Sequence, residues 1–202
     1  MTAVVLAAIA FGSVEMTIAA PGIHGRATVR QSLGENGFKN LRLEMTLRDK
    51  EGRLRVVVQE SVYDKQARPV SMSQTTSMPG GKALQALTVK FTETKAQVTL
   101  EEGGHKAESS VPTPSKPWRA TPEFWFIRDK VEAGGETTYW RFDLATQKWV
   151  ETKCVYVGKR KVRSGGKAYE ANCVLMGSVK SYLDDKGDPV RLESGQMVME
   201  RT

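Results

Sequence analysis

The sequence predicts a mainly β protein, built on one large curved antiparallel sheet in the form of a barrel or half-barrel. Roughly 11–12 strands and at most one or two short helices are expected. Apolar and polar residues alternate along most of the chain, which is the period of a strand with one buried face. Short turn sequences recur and use many of the 18 glycines. No long helical pattern offers the crossovers of a parallel sheet, and an antiparallel sheet of this size curls to protect its edges.

Length and composition favour a single domain over residues 1–202. Hydrophobic residues make up 40% and charged residues 26% of the chain, which is enough apolar material for a core. Residues 111–122 contain four prolines, which withhold backbone donors and favour extended geometry. This stretch is therefore predicted to be an internal crossing segment.

The N-terminal residues 2–11 are apolar and rich in alanine. They resemble the core of a signal peptide but lack its basic n-region. They are also too short for a transmembrane helix, which needs about 20 apolar residues. We expect a first strand or a short helix here, with the remnant of a trimmed targeting peptide as the alternative.

Strict alternation and the turn residues between alternating runs locate the strands of the N-terminal half. Strands are expected at residues 13–20, 25–31, 41–48, 54–59, 70–78, 84–91 and 98–102.

The clearest hairpin of this half turns at residues 49–52. Before the turn, residues 41–48 place four apolar side chains on one face and four polar side chains on the other. After it, Leu54, Val56 and Val58 are expected to resume the buried face.

The last third is predicted to be a run of antiparallel strands. One short helix is expected before it at residues 121–130, where Thr121 and Pro122 form a helix start. The alternative for residues 124–130 is a strand, because Phe124, Phe126 and Arg128 alternate with Trp125 and Ile127. Gly195 is interpreted as a bulge in the last strand. The strands are expected at residues 137–144, 149–157, 168–179, 182–183 and 190–199, with turns at 145–148, 164–166 and 184–188.

No catalytic motif is present. The two histidines, His24 and His105, adjoin glycines in turns, and there is no nucleophile elbow, P-loop, dinucleotide fingerprint or zinc-protease motif. The aspartates at 184–188 could hold calcium, but they lack the EF-hand spacing. We therefore predict a protein that is not an enzyme and uses no cofactor or metal.

The net charge of +7 is compatible with anionic partners. One basic cluster surrounds the turn at residues 164–166 and is a candidate contact for an anion or a lipid headgroup; the alternative is a solvated hairpin edge. Nucleic acid is not expected, because aromatic residues do not interleave with this cluster. The cluster consists of Lys159, Arg160, Lys161, Arg163 and Lys167.

Six methionines lie in predicted strands. Methionine is flexible and fills irregular space, so these side chains are candidates for the lining of an apolar ligand cavity. The alternative is an ordinary core. They are Met16, Met45, Met72, Met176, Met197 and Met199.

Cys154 and Cys173 flank the turn at residues 164–166. A two-residue turn at Ser164-Gly165 makes Cys154 oppose Leu175 and leaves Cys173 on the diagonal, at about 7–8 Å, which is too far for a bridge. A bulge could restore direct pairing and permit a disulfide. The alternative is two buried free thiols.

The terminal strands carry a family resemblance. The segments at residues 137–143, 155–158, 166–171 and 182–193 resemble uncharacterised exported β-rich domains of bacterial envelope proteins, including domains that precede transglutaminase-like domains. More loosely, they are similar to lipoprotein-carrier half-barrels. The resemblance implies a periplasmic or extracellular location and carries over no catalytic residue.

Together these observations predict a non-enzymatic exported β-domain that binds an apolar or amphiphilic, lipid-like ligand on its concave face. The alternative is an accessory domain of the bacterial envelope with a filled core, which interacts with other proteins through its surface. The sequence does not determine the oligomeric state.

Overall fold

The computed structural model describes residues 9–33, 39–66, 68–115, 126 and 130–202. These residues form fourteen strands. They are β1 (Ile9–Ala20), β2 (Ile23–Leu33), β3 (Lys39–Asp49), β4 (Leu54–Tyr63), β5 (Pro69–Ser77), β6 (Ala83–Phe91), β7 (Lys95–Glu102), β8 (His105–Pro112), β9 (Glu136–Asp143), β10 (Lys148–Ser164), β11 (Lys167–Met176), β12 (Val179–Leu183), β13 (Pro189–Ser194) and β14 (Met197–Arg201).

All fourteen strands belong to one antiparallel sheet. Most strands pair with the next strand along the chain. The exception is β1, which also pairs with β14, so that Ile18 lies opposite Met199. The edges of the sheet are β8 and β9, and the sheet does not close through them. The prediction of a large curved antiparallel sheet is confirmed.

The inner face of the sheet is the face that carries the cross-strand row Met16, Ala27 and Met45. Its side chains alternate with exposed polar residues such as Thr17, which is the period expected of a sheet with one face on the core. The buried apolar residues of this face in β1–β7 and β14 are Met16, Ile18, Ala27, Val29, Met72, Leu87, Val89, Ala96, Val98 and Met199.

The sheet rolls up so that strands from its two ends overlap. Phe142 of β9 and Trp149 of β10 are cross-strand partners, and they lie on the face opposite to that of Tyr139. Both rings contact Phe91 on the inner face of β6, with ring centroids 5.5 and 5.6 Å apart. The outer face of β9 and β10 therefore packs against the inner face of β5–β7 in one apolar cluster.

The strand count exceeds the roughly 11–12 predicted because β8 lacks a pattern of alternating apolar residues and because the predicted strand at 190–199 divides into β13 and β14. The exposed polar edge strand β8 gives no such signal. The predicted strand at 168–179 ends earlier, at a turn formed by Gly177-Ser178, so that Val179 begins β12, and this moves a strand boundary without adding a strand. Gly195 belongs to a further turn and not to a bulge, and its φ of +59° suits that position.

The predicted face of β4 is wrong. Leu47 pairs with Arg55 and Met45 with Val57, so Val57 faces inward while Leu54, Val56 and Val58 lie on the outer face. The turn decides this register. Asp49 accepts from the backbone N–H of Gly52, and a three-residue loop makes Leu54 the partner of Arg48.

Three turns share one construction, in which an aspartate binds the turn that it begins. At Asp49, Asp64 and Asp184, Oδ1 accepts from two backbone N–H groups of the turn. In the first two turns, Oδ2 pairs with the arginine four residues later. In the third turn, Oδ2 pairs instead with Arg201 of β14 at 2.9 Å, which ties the last strand to this turn.

Several predictions concern residues outside the described part. The helix at 121–130 lies there except for Phe126, which is buried, and Lys130. The crossing segment at 111–122 begins with the last two residues of β8, and residues 116–122 are not described. At the N-terminus, β1 begins at Ile9, and residues 2–8 are not described.

Candidate ligand-binding face and apolar rim

The six strand methionines occupy different environments. Met16, Met72 and Met199 are buried, and Met45 and Met176 are half-buried. They belong to three apolar clusters: Met16, Met45 and Met199 in one, Met72 in the second and Met176 in the third, and Leu41 packs against both of the first two.

Met197 is exposed at 37% of its surface and is not among the members of the three clusters. The reason is its position directly after the Gly195-Gln196 turn, where β14 begins and few neighbours cover the side chain.

An apolar surface on the inner face remains half-buried. Leu43, Met45 and Leu47 of β3 point inward, as does Val57, the partner of Met45 on β4. Leu192 of β13 packs near them against the cluster of Met16 and Met199. We call these five residues the apolar wall. Because these side chains are only half-buried, the wall is a candidate contact surface for an apolar ligand.

Four large apolar side chains in the described ranges are exposed, and all four lie at one end of the sheet. Because the strands alternate in direction, the turns after β1, β5 and β13 meet at the same end. Each of the four residues adjoins one of these turns. They are Ile23, Met78, Leu84 and Met197, and we call them the apolar rim.

The rim was not predicted from the sequence. A local signal was present, because Ile23 follows Pro21-Gly22 and Met78 precedes Pro79-Gly80, where polar residues are usual. The four rim residues share one end of the sheet because of the order of the strands. The alternation of apolar and polar residues along the chain does not predict that order.

The apolar rim is continuous with the inner face. Ile23 pairs with Ala20 and shares the inward direction of Gly25 and Ala27. Gly25 in turn lies opposite Leu47 of the apolar wall. An added Cβ at Gly25 would lie 3.0 Å from the Leu47 side chain and would collide with the carbonyl oxygen of Thr46. Glycine thus keeps β2 and β3 close together at this point.

A groove of about 690 Å³ lies at the end opposite to the rim. Its walls combine apolar side chains with charged ones, including the ion pair between Arg42 and Glu60. None of the six methionines lines this groove. The lining residues are Gly12, Ser13, Arg30, Gln31, Ser32, Asn40, Leu41, Arg42, Glu60, Ser61 and Val62.

The acidic turn after β12 has a structural role. Asp184 binds the turn and Arg201, as described above, and Asp188 accepts a hydrogen bond from Gln31 Nε2 at 3.2 Å. Burial, with the nearby Asp184 carboxylate, raises the pKa of Asp188. Within the described ranges, no group of three or more His, Cys, Asp or Glu side chains is arranged to hold a metal ion.

The basic cluster around the β10–β11 turn is divided between two faces. By strand alternation, Arg160 and Lys167 project on one side of the hairpin, and Lys159, Lys161 and Arg163 on the other. All five side chains are exposed.

Part of this cluster is already neutralised. Lys159 forms an ion pair with Asp185 at 3.1 Å, which raises the pKa of Lys159 through the hydrogen bond between them. Lys161 lies opposite Glu170. The arrangement therefore does not present one continuous cationic surface.

The prediction of a possible disulfide between Cys154 and Cys173 is wrong, because these two residues lie on opposite faces of the sheet. Cys154 packs with Tyr139 and Val174 in an inner-face cluster, and Cys173 packs with Ala171 and Tyr182 on the outer face. The hairpin turns at Gly165-Gly166, and one extra residue, Val157, shifts the register beyond it. Cys154 then opposes Met176, Cys173 opposes Gly158, and the two buried cysteines are not joined by a disulfide.

We expect neither thiol to react in the native protein. Burial raises the pKa of the Cys173 thiol, and both sulfurs are shielded from solvent. With a thiol-specific chromogenic reagent and no reductant, the folded chain should show no reactive thiol, and the chain in denaturant should show both. Absence of reactive thiols in denaturant would reveal a disulfide and contradict this register.

No helix in the described ranges combines the length and the apolar character needed to cross a membrane.

Comparisons with known proteins give one informative result. No protein-family model and no curated protein matches the sequence. Among solved structures, the chain is similar to a β-barrel-like protein of domain of unknown function DUF1849 from Brucella abortus. The TM-score is 0.61 and the identity is 12%, over 93% of this chain and 92% of that chain. At this identity the similarity shows the fold alone, and it supports the resemblance to uncharacterised β-rich domains.

Proposed function

We propose that this chain is a non-enzymatic exported β-domain that binds an apolar or amphiphilic, lipid-like ligand on the inner face of its rolled sheet. The observation that carries the proposal is the half-buried apolar wall, which runs up to the exposed Ile23 of the apolar rim. The wall supplies the contact surface, and the rim supplies the opening through which the ligand passes.

Apolar area that a ligand covers is the energy source for such binding. Removing apolar surface from water stabilises the complex by roughly 25 cal/mol per Å². Met45 lies in the middle of the wall, between Leu43 and Leu47 and beside Val57. Its unbranched side chain can adapt to a flexible alkyl chain, as methionine does at other apolar binding surfaces.

Binding of a fluorescent fatty acid, 11-(dansylamino)undecanoic acid, tests the proposal. We expect saturable binding to the native protein and a loss of about tenfold in affinity for Met45→Gln, because a buried amide without partners replaces apolar contact. The matched control is Thr46→Gln, at the neighbouring exposed position of the outer face, which should bind as the native protein does.

Thermal melts of both variants establish that each is folded before binding is compared. The proposal fails if the native protein shows no saturable binding, or if folded Met45→Gln binds the probe as tightly as Thr46→Gln.

The exported location is part of the proposal and is supported by the resemblance of the terminal strands. Fractionation of the source cells, followed by detection with an antibody against this chain, tests it. Recovery in the cytoplasmic fraction alone would contradict it.

A second candidate is an accessory domain that acts through protein contacts, and β8 favours it. No described strand pairs with the outer edge of β8, and its first six residues are exposed. Such an edge can accept a strand from a partner protein. The fatty-acid experiment separates the two candidates, because a domain with a filled core would not bind the probe saturably.

A further inference from the structure

The apolar rim lies within a basic part of the molecule. Three segments carry the rim residues, and a fourth contains the β3–β4 turn, which lies between the rim turns after β1 and β5. Together they are residues 19–26, 46–56, 78–84 and 195–198. They contain six cationic and two acidic side chains, a net charge of +4. Exposed apolar residues surrounded by cationic side chains are the features of a surface that binds anionic membranes.

Both acids of these segments are already paired. Arg53 binds Asp49 at 2.7 Å and Glu51 at 3.0 Å, and Lys50 lies 3.7 Å from Glu51. No ion pair joins the remaining four cations of these segments to another described residue. They are Arg26, Arg48, Arg55 and Lys82.

A groove of about 470 Å³ lies on the outer face directly below the rim. His24 and Arg48 are cross-strand partners there, and Arg26 is the partner of Thr46. The groove combines two guanidinium groups, which match the geometry of phosphate oxygens, with the hydroxyl of Thr46 as a further donor. A phospholipid headgroup fits this chemistry.

We infer that the rim end of the sheet docks on an anionic phospholipid bilayer. Ile23 and Met197 enter the interfacial region, while Arg26 and Arg48 bind headgroup phosphates. The inference rests on the proposed function, since the docked rim is the opening through which the inner face would exchange its lipid-like ligand with the bilayer.

The other features of the molecule are consistent with this orientation. Three further turns lie at the rim end: those after β7 and β9 adjoin Glu102 and Asp143, and the turn after β11 is Gly177-Ser178. None of the three carries an exposed large apolar side chain in the described ranges. The bilayer therefore faces the side of β1–β6 and β14. The basic β10–β11 turn lies at the opposite end, where Lys159 is paired with Asp185.

Flotation with lipid vesicles tests the inference. The native protein should bind vesicles containing phosphatidylglycerol at least about tenfold better than vesicles of phosphatidylcholine alone, and high salt should weaken the binding. We expect Arg26→Glu/Arg48→Glu to lose at least about tenfold in binding. Ile23→Ser/Met197→Ser should also bind less well, because it lacks the apolar contact.

Lys161→Glu/Lys167→Glu is the matched control, since it makes the same change in net charge at exposed positions of the opposite end. It should bind vesicles as the native protein does. Equal losses in the two charge variants, or no vesicle binding by the native protein, would overturn the inference.

The fatty-acid probe separates this inference from the proposed function. Arg26→Glu/Arg48→Glu should bind the soluble probe normally, because neither side chain faces the wall. Probe binding without vesicle binding would overturn the docking alone. Vesicle binding that persists in Met45→Gln, together with lost probe binding, supports both proposals.

Discussion

Replacing Phe142 by alanine is expected to lower the free energy of unfolding by about 4 kcal/mol. Phe142 is only 4% exposed, and its ring meets Phe91 and Trp149 edge to face. The substitution removes apolar contact and leaves a cavity between the two overlapping parts of the sheet. Because β8 and β9 are edges that do not pair, side-chain packing has to hold this overlap together.

Denaturant unfolding followed by tryptophan fluorescence measures this effect. Phe142→Leu, which retains much of the apolar volume, should lose about 1.5 kcal/mol or less. Thr138→Ala changes an exposed residue of the same face of β9 and should be nearly neutral. A loss below about 1 kcal/mol for Phe142→Ala would mean that the overlap does not stabilise the rolled sheet.

The sequence was sufficient for the architecture because alternation records which face of a strand is buried. Leu41, Leu43, Met45 and Leu47 all lie on the inner face as predicted. The same reasoning failed one hairpin later. The face of Val56 depends on whether the preceding loop has two residues or three, and a difference of one residue reverses every side chain.

The cysteine prediction failed for the same physical reason. The turn of a hairpin determines which residues of its two strands lie opposite each other. A single extra residue beyond Tyr156 changes this pairing and places Cys154 and Cys173 on opposite faces. The sequence did contain a signal, because Gly158 directly follows the extra residue and has a φ of +92°, and a glycine inside a strand often marks a bulge. A glycine alone, however, does not establish that a residue is inserted. The sequence thus placed both cysteines in neighbouring strands without fixing their register.

The candidate site depends on contacts between distant parts of the chain. Ile23 and Met197 are 174 positions apart in the sequence, yet both lie at the rim because β14 pairs with β1. The alternation of apolar and polar residues shows which face of each strand is buried, but it does not show which strands distant in sequence pair with each other. The meeting of the first and last strands is a property of the whole sheet, so neither the rim nor its basic surroundings could be located in advance.

The contact between the β10–β11 turn and the last strand leads to a second large effect. Ser164, which is 1% exposed, donates to the backbone oxygen of Val190 at 2.6 Å, and its Oγ lies 3.4 Å from the oxygen of Arg201. At Gly165, an added Cβ would lie 3.3 Å from both the carbonyl carbon of Arg201 and Cα of Thr202, and it would collide with the Arg201 oxygen. The turn therefore rests directly on the backbone of β14.

Gly165→Ala should accordingly destabilise the protein by about 3 kcal/mol, whereas Gly166→Ala should lose only about 1 kcal/mol. Both glycines have positive φ, at +55° and +79°, so both alanines carry similar backbone strain. No neighbouring atom lies within 4 Å of an added Cβ at Gly166. The difference between the two variants in denaturant unfolding thus isolates the packing of the turn against β14, and equal losses would show that this contact contributes nothing to stability.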